Sequence, residues 1–316
     1  MNAAVVALAV LTLNAAGPRR VHQGWQTRRA ALADGLKAEA PDAAAFQEVW
    51  RPEDTDALAL AAAHAHRVHD PALGLAITSR LRVTDFASLD LGAGGVLRAG
   101  LDIGGASVDV YSARLEPASP ARRLGRLLAL AEFIRAQSKK RAFVLLGDLS
   151  SSSDEKEIEL FTDFLGARDL CISHGDEMCG RTLEDRRVDY MLIPYSSRPP
   201  RETAHAAFGG TRVEDDEIRP LSAHFGLTAR LDARWLKLRL AEDPDGRTEA
   251  LTRAADFFDA ARAESQARAR DAGWIPWRGV WRTLVIREET ARLAADAERA
   301  RTLLARAAPR AAPALE

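Results

Sequence analysis

Up to about residue 236 the apolar positions fall into short runs whose period alternates between two and about 3.6, the signature of interleaved strands and helices. VVALAVLTLN, ending at Asn14, is almost continuously apolar, as a strand buried on both faces is. Residues 25–39 (WQTRRAALADGLKAE) carry apolar residues at helical spacing, and PDAAAFQEVW reads as a short buried strand ending in polar residues. DTDALALAAAHAH predicts a second helix and LGLAITSR a strand. VLRAGLDIGGASVDVYSARL predicts two strands around the turn Gly104-Gly105. RRLGRLLALAEFIRAQ is strongly amphipathic, AFVLLGDL is a buried strand, and RVDYMLIP and FGLTARLD supply two more. SSSSDEKE reads as a polar loop capping the helix EIELFTDFLG. Mixing βαβ units with hairpins predicts two packed mixed sheets with helices outside.

Beyond residue 236 the pattern changes. AEDPDG is turn-rich, and residues 246–316 are rich in Ala, Arg and Glu at helical spacing, which predicts an appended helical hairpin. The expected division is a domain over residues 1–235 and a helical extension over 236–316. The charges of residues 241–316 balance, thirteen basic against thirteen acidic, so solvated pairs along the helices are expected and a nucleic-acid tail is not. GWIPWRGVW sets Trp274, Trp277 and Trp281 around a proline; they either pack the hairpin or touch lipid headgroups as a peripheral membrane contact.

Composition narrows the function classes. A hydrophobic content of 47% suits a packed globular protein. A formal net charge of −1, from 44 Lys and Arg against 45 Asp and Glu, gives no global attraction to nucleic acid or anionic membranes. Two cysteines, Cys171 and Cys179, are no disulfide framework and are expected to be reduced thiols. The opening MNAAVVALAVLTLNAAG imitates a signal peptide, but no Lys or Arg precedes its apolar run, and cleavage near Ala16 would delete the first strand. With no run long enough to span a bilayer, a soluble cytoplasmic protein is expected. HAHRVHD gathers His64, His66, His69 and Asp70 where the second helix should end, a place that favours histidine through the helix dipole rather than a metal site.

The candidate chemistry lies at strand ends: Asn14 after VLTL, Glu48 after AAAFQ, Asp148 after VLLG, and His224 before FGLTARL, joined by Asp189 in RVDYMLI. Any one of them is more often a cap or a satisfied surface group. Together they fit metal-assisted hydrolysis of a phosphoester. The segments LTLN, FQEVW, GLAITSR, GDL, RVDYMLI and SAHFGLTARL, in that order, resemble the endonuclease/exonuclease/phosphatase superfamily of DNase I-like nucleases, inositol phosphatases and neutral sphingomyelinases. The resemblance runs from about residue 8 to 232 and implies a four-layer α/β sandwich. It also implies that Glu48, aided by Asn14, holds Mg²⁺ or Mn²⁺, a hard cation that neutralises phosphate charge. Asp148 would position or deprotonate the attacking water, His224 would act as base or phosphate ligand, and Asp189 would orient its neighbours. QEVW, GLAITSR and CISHGDEMCGRTLEDRRVDYMLI look most like the sphingomyelinase-like branch, which favours a lipid phosphodiester slightly over nucleic acid.

Three positions depart from the family's pattern. Ala223 stands where the family has Asp before the histidine, and a catalytic histidine that loses its carboxylate loses about 10⁴-fold in rate in a serine-protease triad. Arg114 replaces a histidine; it can clamp phosphate but cannot give up a proton. Ser150 replaces an asparagine, and loss of one such donor costs about 10²-fold. The expected function is therefore a metal-dependent phosphodiesterase or phosphatase with an altered, weak site; the alternative is a pseudoenzyme kept as a binding or scaffold module.

Overall fold

A computed structural model describes residues 7–18, 23–173, 176–177, 179–195, 202–209, 211–214, 217–232, 234–240, 246–272 and 279–307. The chain runs β1 (Leu8–Asn14), α1 (Gln23–Glu39), β2 (Ala43–Gln47), α2 (Pro52–Ala61), β3 (His66–Asp70) and β4 (Leu75–Ser79). There follow β5 (Val83–Asp90), β6 (Gly94–Ile103), β7 (Ala106–Leu115), α3 (Pro120–Gln137), β8 (Ala142–Asp148) and α4 (Lys156–Leu165). Next come β9 (Ala167–Asp169), β10 (Ile172–Ser173), β11 (Asp176–Glu177), β12 (Asp189–Pro194), β13 (Glu202–Ala207), β14 (Thr211–Glu214), β15 (Glu217–Pro220) and β16 (Gly226–Leu231). Two long helices close the sequence, α5 (Arg247–Ala272) and α6 (Gly279–Ala307). Trp274 and Trp277 lie outside the described residues, and of Trp281 only its place in α6 is described.

Two mixed six-stranded sheets, ordered β13-β16-β1-β2-β4-β3 and β5-β6-β7-β8-β12-β9, make the α/β sandwich. Alternation along β1 shows how the layers form. Leu8 and Val10 enter the core between the sheets with Val108, Val110, Val144 and Leu146, while Leu11 and Leu13 pack outward with Trp25, Leu32 and Leu36 of α1 and Leu58 of α2. On the outer side of the second sheet, Tyr111 meets Phe133 and Phe143 edge to face. The two-residue turn Gly104-Gly105 has φ of +59° and +91°, the left-handed pair a tight hairpin of this hand requires.

The chain forms two compact units, one of residues 1–117, 132–153 and 167–240, the other of residues 118–131, 154–166 and 241–316. Trp235 belongs to the first, fully buried and donating from its indole nitrogen to the Phe143 carbonyl at 3.0 Å. The second contains α5 and α6 packed as a pair, along with α4, whose Glu157 accepts from Arg123 at 2.9 Å.

Two expectations are corrected here. Cys171 and Cys179 are joined in a disulfide, not reduced: the chain reverses between β10 and β11, which brings their Cα atoms to 5.2 Å. The histidine cluster does not end a helix, because α2 stops at Ala61 and His66 and His69 lie in β3. His64 is buried between Thr78 Oγ1 at 2.7 Å and the Pro41 carbonyl at 2.8 Å, and burial pushes its pKa down; His69 donates to the Val49 carbonyl at 2.8 Å.

Candidate active site

Strand register brings the polar strand ends together. In the second sheet Arg114 of β7 is the direct partner of Asp148 on β8, and Asp148 is the direct partner of Asp189 on β12. Direct partners point to the same face, so these three form a row. In the first sheet Asn14 ends β1 beside Gln47, Glu48 follows β2, and His224 precedes β16. Two backbone features steer the row. Gly147, at φ +150°, lies where a Cβ would come within 1.9 Å of the Ala113 carbonyl oxygen, so the Gly of the GDL motif lets β8 press against β7 just before Asp148. Glu48 itself sits at φ +55°, a left-handed conformation that a non-glycine residue keeps at a cost.

The six predicted side chains meet in one group. Asn14 Nδ2 donates to Glu48 Oε1 at 3.2 Å and to Asp148 Oδ2 at 3.0 Å, while its oxygen accepts from the Ala16 N–H at 2.9 Å. Arg114 Nε donates to the same Glu48 oxygen at 3.1 Å. His224 Nδ1 meets Asp189 Oδ2 at 2.9 Å, and its Nε2 lies 3.8 Å from Asp148 Oδ2, too far for a direct hydrogen bond. The carboxylate feared lost at Ala223 is thus supplied by Asp189. Ala223 is exposed where its neighbour is buried, so an aspartate in its place would face solvent and not the imidazole. Ser150 spends its hydroxyl proton on the Leu115 carbonyl at 2.7 Å, and its N–H donates to Asp148 Oδ1 at 2.9 Å.

Three positioning residues were not singled out from the sequence. Ser222 donates to the Asn14 carbonyl at 2.6 Å and accepts from the His224 N–H at 3.3 Å, tying β1 to the histidine. Thr182 Oγ1 accepts from the Val188 and Asp189 N–H groups at 3.0 and 3.1 Å, and its carbonyl accepts from Phe225, so one residue steadies both halves of the Asp189–His224 pair. Gln47, buried beside Glu48, bonds Ser112 across the sheets at 3.0 Å. A hydroxyl or amide within an otherwise ordinary motif carries no periodic signal.

The electrostatics are unbalanced. Burial and then the neighbouring Asp189 charge push the Asp148 carboxyl up to about 6, against the pull of His224, the Ser150 N–H and Asn14. Burial alone would lower His224, but the hydrogen bond and charge of Asp189, with the charges of Asp148 and Glu48, outweigh it and raise its pKa. Asp189 Oδ1 is buried with no hydrogen-bond partner among the described residues. This excess of oxygen donors has the chemistry of a hard-cation site, although among the described residues no three His, Cys, Asp or Glu side chains converge as a ready cage. The Glu48 side chain is 26% exposed, which suits a cation that keeps most of its waters. Asn14 turns its NH₂ group, which cannot ligate a metal, toward the acids, so in this geometry it fixes Glu48 and Asp148 instead of adding a ligand.

The model of the endonuclease/exonuclease/phosphatase family matches residues 11–283, most of the chain. The chain belongs to this family. Among solved structures it is similar to D. rerio TDP2 complexed with a single-strand DNA product, at 17% identity and TM-score 0.57 over 71% of this chain and 98% of that one. Similar too are sphingomyelinase C from Streptomyces griseocarneus (15% identity, TM-score 0.55, 72% and 99% covered) and beta toxin from Staphylococcus aureus (12%, 0.54, 70% and 99%). At these identities the likeness shows the fold alone. No curated protein matches the sequence significantly.

Proposed function

We propose that this family member hydrolyses phosphodiesters with the help of a divalent cation, Mg²⁺ or Mn²⁺, held through Glu48. The observation that carries the reading is the Asp189–His224 pair aimed at Asp148, beside a glutamate anchored by Asn14. When bound, the cation would neutralise phosphate oxygens and stabilise charge on the leaving oxygen. The chain's own groups do the rest. Asp189 holds Nδ1 of His224 and so leaves Nε2 as the working nitrogen, which gives a charge-assisted hydrogen bond to a phosphate oxygen. Asp148, a stronger base than an ordinary carboxylate because its pKa is raised, takes the proton of the attacking water as the new P–O bond forms. The ester P–O bond then breaks and the leaving oxygen takes a proton from bulk water. Arg114 supplies fixed positive charge where the family pattern has histidine, clamping phosphate without proton transfer.

The near-neutral chain favours a lipid phosphodiester over nucleic acid, since non-specific nucleic-acid binding draws on several Lys or Arg contacts. Among the described residues no helix is long and apolar enough to cross a membrane. The disulfide favours an oxidising compartment over the cytoplasm, a placement that free thiols at Cys171 and Cys179 in freshly isolated protein would refute. The function is tested with sphingomyelin, phosphatidylcholine and duplex and single-stranded DNA in Mg²⁺, Mn²⁺ or chelator. Metal-dependent turnover of one lipid, lost in His224→Ala, is the expected result. Faster cleavage of DNA would overturn the lipid assignment, and silence on every substrate would leave the scaffold reading.

A further inference from the structure

Two donors compete for one oxygen at the proposed metal ligand. Arg114 Nε and Asn14 Nδ2 both approach Glu48 Oε1, at 3.1 and 3.2 Å, and a carboxylate oxygen has about two lone-pair sites. A cation that ligates this oxygen must displace one of them. Asn14 is held by its bonds to Asp148 and to the Ala16 N–H. Arg114 is better able to move: its side chain is long, its Nη1 already reaches Glu116 Oε1 at 3.4 Å, and its guanidinium lies 5.8 Å from the centre of the Trp50 ring. Glu116 and Trp50 thus offer the guanidinium contacts other than Glu48.

We propose that Arg114 is a built-in counter-ion for Glu48, with which a divalent cation must compete, so that this residue sets the metal affinity of the site. The proposal rests on the reading of Glu48 as metal ligand and deepens it. A guanidinium beside the ligand both blocks a lone pair and repels the incoming cation, so the native chain binds metal weakly, and the freed arginine turns its donors to the phosphate.

The test is direct Mn²⁺ binding, followed by calorimetry and by the electron paramagnetic resonance of free Mn²⁺, on the full chain and on Arg114→Met, Arg114→Gln and Glu48→Gln. Methionine removes the charge without offering an oxygen ligand; glutamine keeps a polar side chain should methionine disturb folding. Arg114→Met is expected to bind Mn²⁺ tighter by on the order of tenfold, the scale on which neighbours of a ligand alter affinity. Glu48→Gln is expected to lose binding. In the native chain the Arg114 Nε–H resonance, assigned by its absence in Arg114→Lys, is expected to shift on adding Mg²⁺. If Glu48→Gln loses binding while both Arg114 variants match the native affinity, the displacement proposal fails and the metal assignment stands. If Glu48→Gln binds Mn²⁺ as the native chain does, or neither the native chain nor Arg114→Met binds it, both fail.

Discussion

The two faces of β7 carry two clusters of buried charge. On one, Asp109 is fully enclosed and each of its oxygens is held: Arg98 Nε at 3.0 Å and Arg141 at 3.3 Å on Oδ1, Ser138 at 2.6 Å on Oδ2. Asp85 also accepts from both arginines, through Arg98 Nη2 and Arg141 Nη1, and their pull outweighs burial and lowers its pKa; Tyr111 closes the group through Ser138 at 2.6 Å. Two carboxylates face two guanidinium groups. On the other face Arg114 bonds Glu48, whose carboxylate shares the site with those of Asp148 and Asp189, and His224 is the other basic group among the named site residues. Here one carboxylate oxygen has no partner among the described residues, and the Asp148 pKa is raised. Buried charge that serves the fold is paired until nothing is left over, whereas charge that serves chemistry is left short of partners for substrate and cation to complete.

The strongest way to break the comparison is Asp189→Asn. Loss of the charge that fixes the His224 tautomer is expected to lower kcat by about 10³-fold or more in steady-state assays. The melting temperature is expected to change little, because asparagine can still accept from His224 Nδ1 and Asp189 Oδ1 has no partner among the described residues to lose. Collapse of the fold in this variant would mean that the site acids are structural after all. Asp109→Ala should behave in the opposite way: it takes one of two carboxylate partners from Arg98, which is 5% exposed, together with the partner of Ser138, and is expected to cost about 3 kcal/mol in denaturant unfolding.

A smaller effect separates the clusters by sign. Asp148→Asn is expected to stabilise the chelator-treated chain at neutral pH by on the order of 2 kcal/mol, since a raised carboxylate pKa means that ionised Asp148 opposes folding. Its folded pKa of about 6 lies above the ordinary 3.8, so its contribution favours the folded chain at low pH and is lost as pH rises through that window. Urea midpoints across the window should fall more steeply for the native chain than for Asp148→Asn. His224, also raised, adds stability that is full below 6.5 and lost as pH climbs through its folded value; His224→Gln should remove that later decline.

Much of this was legible in the sequence because a polar residue that interrupts an apolar run is conspicuous. Asn14, Glu48, Asp148, Asp189 and His224 each stand at the edge of such a run, and the elements that carry them are continuous or strictly periodic. Pairing was harder to read. The support of His224 is not legible beside Ala223, because the carboxylate that holds its Nδ1 comes from 35 residues away, through a turn with no periodic signature. β3 buries little beyond Val68, and β5 is an edge strand that leaves Phe86 two-thirds exposed, so neither shows an apolar rhythm. Two cysteines eight residues apart do not reveal whether the chain turns back between them.

The central claim, that the incompletely satisfied acids beside Glu48 await a cation and a phosphodiester, is tested most directly by hydrolysis of a chromogenic phosphodiester by the native chain and Glu48→Gln, each in Mn²⁺ and in chelator. Turnover by the native chain in Mn²⁺, absent in chelator and absent from Glu48→Gln in both, is the result predicted. Turnover that survives chelation, or that Glu48→Gln retains, would contradict it.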